Sequence, residues 1–192
     1  MARRVPAWGN FVYKADTHLI SFAVLNHYMV YESAICHAVQ ALENYLKALA
    51  LSIAESTHDS GTDYDDSWLR THDLVRFAKR CAKKIPYYGE ENLLDDLLQF
   101  YEVAKSLRDP TSERADTSGF STTDYNKFEE IILRLRTDIP IIKDDFPLGV
   151  LIRGHSHGRP SKHKSALLPD SHRISAALLR NVITRADQLV RW

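Results

Sequence analysis

The chain has 192 residues, 44% of them apolar and 26% charged, with equal numbers of basic and acidic side chains. That composition is of an ordinary soluble globular domain, able to build a core without disulfides. It excludes a collagen-like, disordered or disulfide-stapled chain, and no apolar run approaches the ~20 residues that span a bilayer. Nor does an apolar segment follow the basic start Met1-Ala2-Arg3-Arg4, so no signal peptide is read and the cytoplasm is the expected location. The zero net charge hides an asymmetry. Residues 1–147 carry 17 Lys/Arg against 23 Asp/Glu, whereas residues 148–192 carry 8 against 2. An acidic body with a basic tail predicts a tail that meets the body, another subunit or a polyanion.

Phe11, Ala15, Leu19, Phe22 and Met29 form a first helical stripe and predict a helix over about residues 10–25 or somewhat longer, with Asn26-His27 as a break. A long second helix is predicted over residues 28–55. Its apolar residues Ile35, Ala38, Val39, Leu42, Tyr45, Leu46, Leu49 and Ile53 make one buried face. Ala34, Ala41 and Ala48 form a small-residue stripe that lets another helix come close. His37, Gln40, Glu43, Asn44 and Lys47 share the remaining edge. The plain reading of that edge is a solvated face with one i, i+4 ion pair. Two long helices in succession predict an extended antiparallel pair.

Residues 56–70 are rich in turn formers and read as a loop. Asp59, Asp63, Asp65, Asp66 and His58 cluster there, but the spacing completes no calcium loop, and no metal site is assigned. Thr71 is predicted to cap a third helix, with Asp73 in its first turn and Leu74, Phe77, Ala78, Cys81 and Ile85 inward. Arg76, Lys79, Arg80, Lys83 and Lys84 crowd its outer side, as a solvated face or a phosphate-contacting patch. After Pro86-Tyr87-Tyr88-Gly89, the residues Leu93, Leu94, Leu97, Leu98, Tyr101, Ala104 and Leu107 predict a fourth helix. Arg108 extends its row of Leu97, Tyr101 and Ala104, so it is expected to point inward, which calls for an anionic partner. Asp109-Pro110 ends the helix.

Ser121 to Asp124 give helix-start signals for a fifth helix carrying Tyr125, Phe128, Ile131, Ile132, Leu135 and Ile139, stopped by Pro140. Residues 153–165, with His155 and His157, read as a basic linker. A last helix carries Ile174, Leu178, Val182 and Leu189 with four arginines, ending at Trp192. The two cysteines, Cys36 and Cys81, fall within helical patterns and are expected to be reduced. The expected architecture is all-α: an up-and-down bundle over residues 1–147, with residues 148–192 as an appendage.

Three landmarks now stand in order. His37-Ala38-x-Gln40-Ala41-x-Glu43-x-x-x-Lys47-Ala48 resembles the signature helix of HEPN domains. Thr71-His72-Asp73-Leu74 resembles that family's second landmark. Tyr101 with Arg108-Asp109-Pro110 resembles its third, usually Tyr…Arg-Tyr-Pro. The likeness covers roughly residues 15–138. It implies a helical bundle that dimerises and associates with nucleotides or RNA, in many members beside a nucleotidyltransferase-type partner as one half of a toxin–antitoxin or defence pair. Toxic members are metal-free ribonucleases carrying Arg-x4–6-His. Here positions 113 to 115 are Glu113, Arg114 and Ala115, and Asp109 replaces the usual Tyr. The resemblance therefore implies the non-nucleolytic branch, with no cofactor and no assigned catalytic residue.

On this reading His37, Gln40, Glu43, Lys47, His72 and Arg108 line one nucleotide- or RNA-binding groove. Lys47 and Arg108 would meet phosphate, and His37, Gln40 and Glu43 a base or ribose. The alternatives are a buried polar network that only fastens helices, a metal-independent ribonuclease with a non-standard acid–base pair built on His72 or His37, and a purely structural or regulatory dimerisation protein.

Overall fold

A computed structural model of the chain describes residues 7–57, 67–108 and 121–140. These are 88% helical, with five α-helices and no strand, as the periodicity predicts. The expectations for the acidic loop around Asp63, for the stop at Asp109-Pro110, and for the linker and final helix of residues 148–192 lie outside the described residues.

Helix α1 spans Ala7–His27 and α2 spans Tyr31–Thr57. Helix α1 extends beyond its predicted range at both ends, α2 is shifted a few residues toward the C-terminus, and the break between them falls a little after Asn26-His27. The turn is a Schellman closure: the Val30 N–H donates to the Leu25 carbonyl at 2.9 Å and the Met29 N–H to the Asn26 carbonyl at 3.2 Å. Met29, expected on the apolar stripe of the first helix, lies instead in this turn, exposed, in the left-handed position with φ 60° that glycine usually fills. The chain then reverses, and α1 and α2 form an antiparallel hairpin.

Helix α2 is the hub, since it packs against α1 and all three later helices. Its apolar face is buried, and so is the stripe Ala34, Ala41 and Ala48. A helix surrounded on so many sides needs small side chains wherever a neighbour's backbone comes close.

A 3-10 turn at Ser67–Arg70 leads into α3, Leu74–Ala82. The cap differs from the expected one. Asp73 is the N-cap, its carboxylate accepting from the Arg76 N–H at 2.9 Å. The Thr71 hydroxyl instead donates to the Trp68 carbonyl at 3.1 Å and closes the preceding turn. A second 3-10 turn, Pro86–Gly89, connects to α4, Glu91–Arg108. Leu93, Leu97, Phe100 and Ala104 face inward on α4, while Leu98 is exposed. A leucine on each side of the true row is more than one helix face can bury.

Helix α5, Thr122–Asp138, starts at a complete capping box of Ser121 and Asp124. It closes the bundle by setting Phe128 edge-on to Phe22 of α1, ring centroids 4.9 Å apart. The Ile139 N–H reaches back to the Leu135 carbonyl before Pro140. No helix among the described residues is long and apolar enough to cross a membrane.

Candidate functional site

Four of the six expected site residues sit on α2, where a spacing of three or four residues aligns them: His37, Gln40, Glu43 and Lys47. They are not a uniformly solvated edge. Glu43 and Lys47 are buried, while His37 and Gln40 are half-buried. The Lys47 ammonium donates to Glu43 Oε1 at 2.6 Å. Its other side lies over the Phe77 ring of α3, 5.1 Å from the centroid. A buried carboxylate and a buried ammonium thus compensate each other, with an aromatic face as a third wall.

His72 arrives from the segment before α3. On one side of it, buried Trp68 anchors the 3-10 turn, with the Arg80 guanidinium 4.3 Å over its indole. On the other, Asp73 pins the start of α3. Held between these points, His72 places Nδ1 at 3.1 Å from both oxygens of Glu43. Its side chain stays 67% exposed. With Nδ1–H donating to the carboxylate, Nε2 is left facing outward as an acceptor or proton carrier. The structure therefore brings His72 to Glu43, and through it to Lys47.

Arg108 is the exception. It is exposed at the end of α4 rather than inward, and among the described residues no hydrogen bond or ion pair joins it to Glu43, Lys47 or His72. The inward row ends at Ala104. In the last turn of a helix a long guanidinium side chain can follow the apolar surface outward to water, which avoids burying an unpaired charge.

Two features of the polar interior were missed by the sequence reading. His18 of α1 meets His37, Nδ1 to Nδ1 at 2.9 Å. Burial pushes both imidazoles below the ordinary histidine value. For His18, the His37 ring and Lys14 lower it further, while Glu43 opposes them. The cluster thus runs along α2 from the His18–His37 pair to Glu43, Lys47 and His72.

The second is a buried charge network. Asp16 of α1, with no solvent exposure, accepts from the Tyr45 hydroxyl of α2 and from the Arg136 guanidinium of α5. Arg136 also donates to the Tyr45 oxygen at 2.7 Å. Burial pushes the Tyr45 hydroxyl well above its usual range. A signal for Asp16 exists in the sequence, because Val12, Asp16, Leu19 and Ala23 recur at core spacing, which places a carboxylate on an inward row.

Among the described residues no group of three or more His, Cys, Asp or Glu could hold a metal ion. The fold and cluster define an all-α helical bundle with a buried Glu–Lys salt bridge at its hub and a surface imidazole fixed to it. No family model, curated protein or solved structure matches the chain.

Proposed function

We propose that the chain is a HEPN-like, nucleotide- or RNA-associated binding module, with the ligand's phosphate engaged beside His72. One observation supports this above the others: an exposed imidazole is held in place by a buried Glu43–Lys47 pair. A well-packed apolar pair at positions 43 and 47 would serve stability as well or better. Spending two buried charges on the orientation of a surface ring is accounted for by what that ring meets.

The neighbouring surface suits a polyanion. Arg76 and Lys79 are exposed on α3 and Lys83 at its C-cap, and the first turn of this helix follows His72. Phosphates lying along α3 would displace counterions there and put a sugar or base against His72, His37 and Gln40. The resemblance adds a homodimer, a nucleotidyltransferase-type partner and a role in a toxin–antitoxin or defence pair.

The test is equilibrium binding of AMP, ATP and a fluorescent single-stranded RNA to the full chain over a salt series. Expected are measurable affinity, a fall in log K with log salt, and a loss of about tenfold on His72→Ala, equivalent to one charge-assisted hydrogen bond. No binding of any probe, or equal affinity in the variant, would refute the reading.

The Glu43–His72 contact also favours a second reading, a metal-independent ribonuclease in which His72 transfers the proton. Pure protein in excess chelator would then cleave RNA, and His72→Ala would not. Background-level cleavage by both proteins leaves the binding module alone.

A further inference from the structure

His18 and His37 come from neighbouring helices and meet across the α1–α2 seam. Their ring centroids are 5.1 Å apart and their Nδ1 atoms 2.9 Å. The centroid distance is close to the Nδ1–Nδ1 distance plus two ring radii, so the two nitrogens meet head-on. Two imidazoles chelating one metal would instead aim both lone pairs at a third point, about 2.0–2.1 Å from each nitrogen. Head-on geometry is that of an N–H···N hydrogen bond.

The proton count follows from that bond. In the neutral pair one ring carries Nδ1–H and the other accepts it, so one outward Nε2 is a lone pair and the other an N–H. One added proton on the free Nε2 keeps the Nδ1–H···Nδ1 bond. A second has only the accepting Nδ1 to go to. It destroys the bond and leaves two cations facing each other at hydrogen-bond distance.

The charges acting on His18 come from both helices. Lys14 on α1 adds positive charge, and Glu43 on α2 opposes it. Glu43 is already shared by Lys47 and His72. Among the charges that act on His18, the anion is Glu43, which is also the one holding His72.

We propose that the His18–His37 pair is a one-proton latch on the α1–α2 seam, closed when neutral or singly protonated, opened locally by a second proton, and coupled through Glu43 to the surface imidazole of His72. The latch is a property of the free protein and does not depend on a nucleotide ligand.

Histidine side-chain 15N spectra of the full chain, titrated from pH 8 to pH 4, test it. At pH 8 one ring of the pair is expected as the Nδ1–H tautomer and the other as Nε2–H. The first step takes up one proton for the two rings together. The second step, at lower pH, is expected to speed amide exchange around His18 and His37 by about tenfold after correction for intrinsic rates, and to move the His72 signals. In His18→Gln the remaining His37 titrates alone and the acid-induced opening disappears. Two Nε2–H rings at pH 8 in the wild type overturn the latch whether or not the variant folds. So do two independent midpoints near the ordinary histidine value, or opening that persists in His18→Gln.

Discussion

Asp16 shows what a single side chain contributes to this bundle. Its carboxylate sits in the core with a phenol and a guanidinium on it. Removing it strands Arg136 and leaves an uncompensated buried charge, whereas the intact triad joins α1, α2 and α5. Asp16→Ala is expected to lower stability by about 3–5 kcal/mol, and Tyr45→Phe by about 1 kcal/mol, in urea unfolding. The His18–His37 pair gives a second prediction at this scale. Both rings bind protons more weakly in the folded chain than in the unfolded one. As pH falls, the unfolded state gains those protons first. The pair's contribution is therefore complete above the ordinary value of about 6.5. It erodes as pH falls from there through the lowered folded values. The urea midpoint is expected to fall between pH 7.5 and 5.5, and to fall less in His18→Gln/His37→Gln. These two clusters also mark the limit of sequence reading. Periodicity displayed the α2 row because its polar residues lie together on one helix. Asp16 and His18 share no polar row with each other on α1, and their partners lie on other helices.

At the level of elements, the capping chemistry was legible at α5 and only half legible elsewhere. Ser121-x-x-Asp124 announces its helix because both partners lie within one turn. At α3 two good candidates, Thr71 and Asp73, stand two residues apart, and the preceding 3-10 turn decides between them by engaging Thr71. Replacing either working cap by alanine should cost about 1 kcal/mol, with Thr71→Ala costing less than Asp73→Ala. The α1–α2 turn is harder to see because neither glycine nor proline marks it. Met29 holds φ 60° with 73% of its surface exposed, so its side chain contributes little packing while its backbone is strained. Met29→Gly is expected to raise the unfolding free energy by about 0.5–1 kcal/mol, because the relief of a left-handed Cβ outweighs the entropy a flexible turn residue loses. A lower denaturation midpoint in that variant would show that Met29 is held by contacts and not merely tolerated.

For the molecule as a whole, the five helices of the described residues followed from apolar spacing, since each must bury one stripe, and the Ala34, Ala41 and Ala48 stripe beside the apolar face of α2 signals that a further helix packs there. The placement of Arg108 did not follow, because a row of residues says which way the Cβ points and nothing about where the rest of a long side chain leads. Cooperativity offers a test of the hub. Cys81 on α3 is fully buried against α2, its Sγ 3.8 Å from the Leu46 carbonyl, and burial pushes its thiol up to about 12. A thiolate is the reactive form, so the native thiol is both shielded and protonated. Cys36 is only half-buried. If α3 is fastened to the hub by the Lys47–Phe77 contact and the His72–Glu43 bond, it separates from α2 only when the bundle unfolds. A thiol reagent at pH 8 should then modify Cys36 first and Cys81 at a rate that follows global unfolding in urea. It should reach the Cys81 thiol sooner in His72→Ala only to the extent that overall stability falls. Rapid labelling of Cys81 in a chain that is otherwise fully folded would mean that α3 opens by itself, and that the Glu43–His72 contact joins two units that move separately.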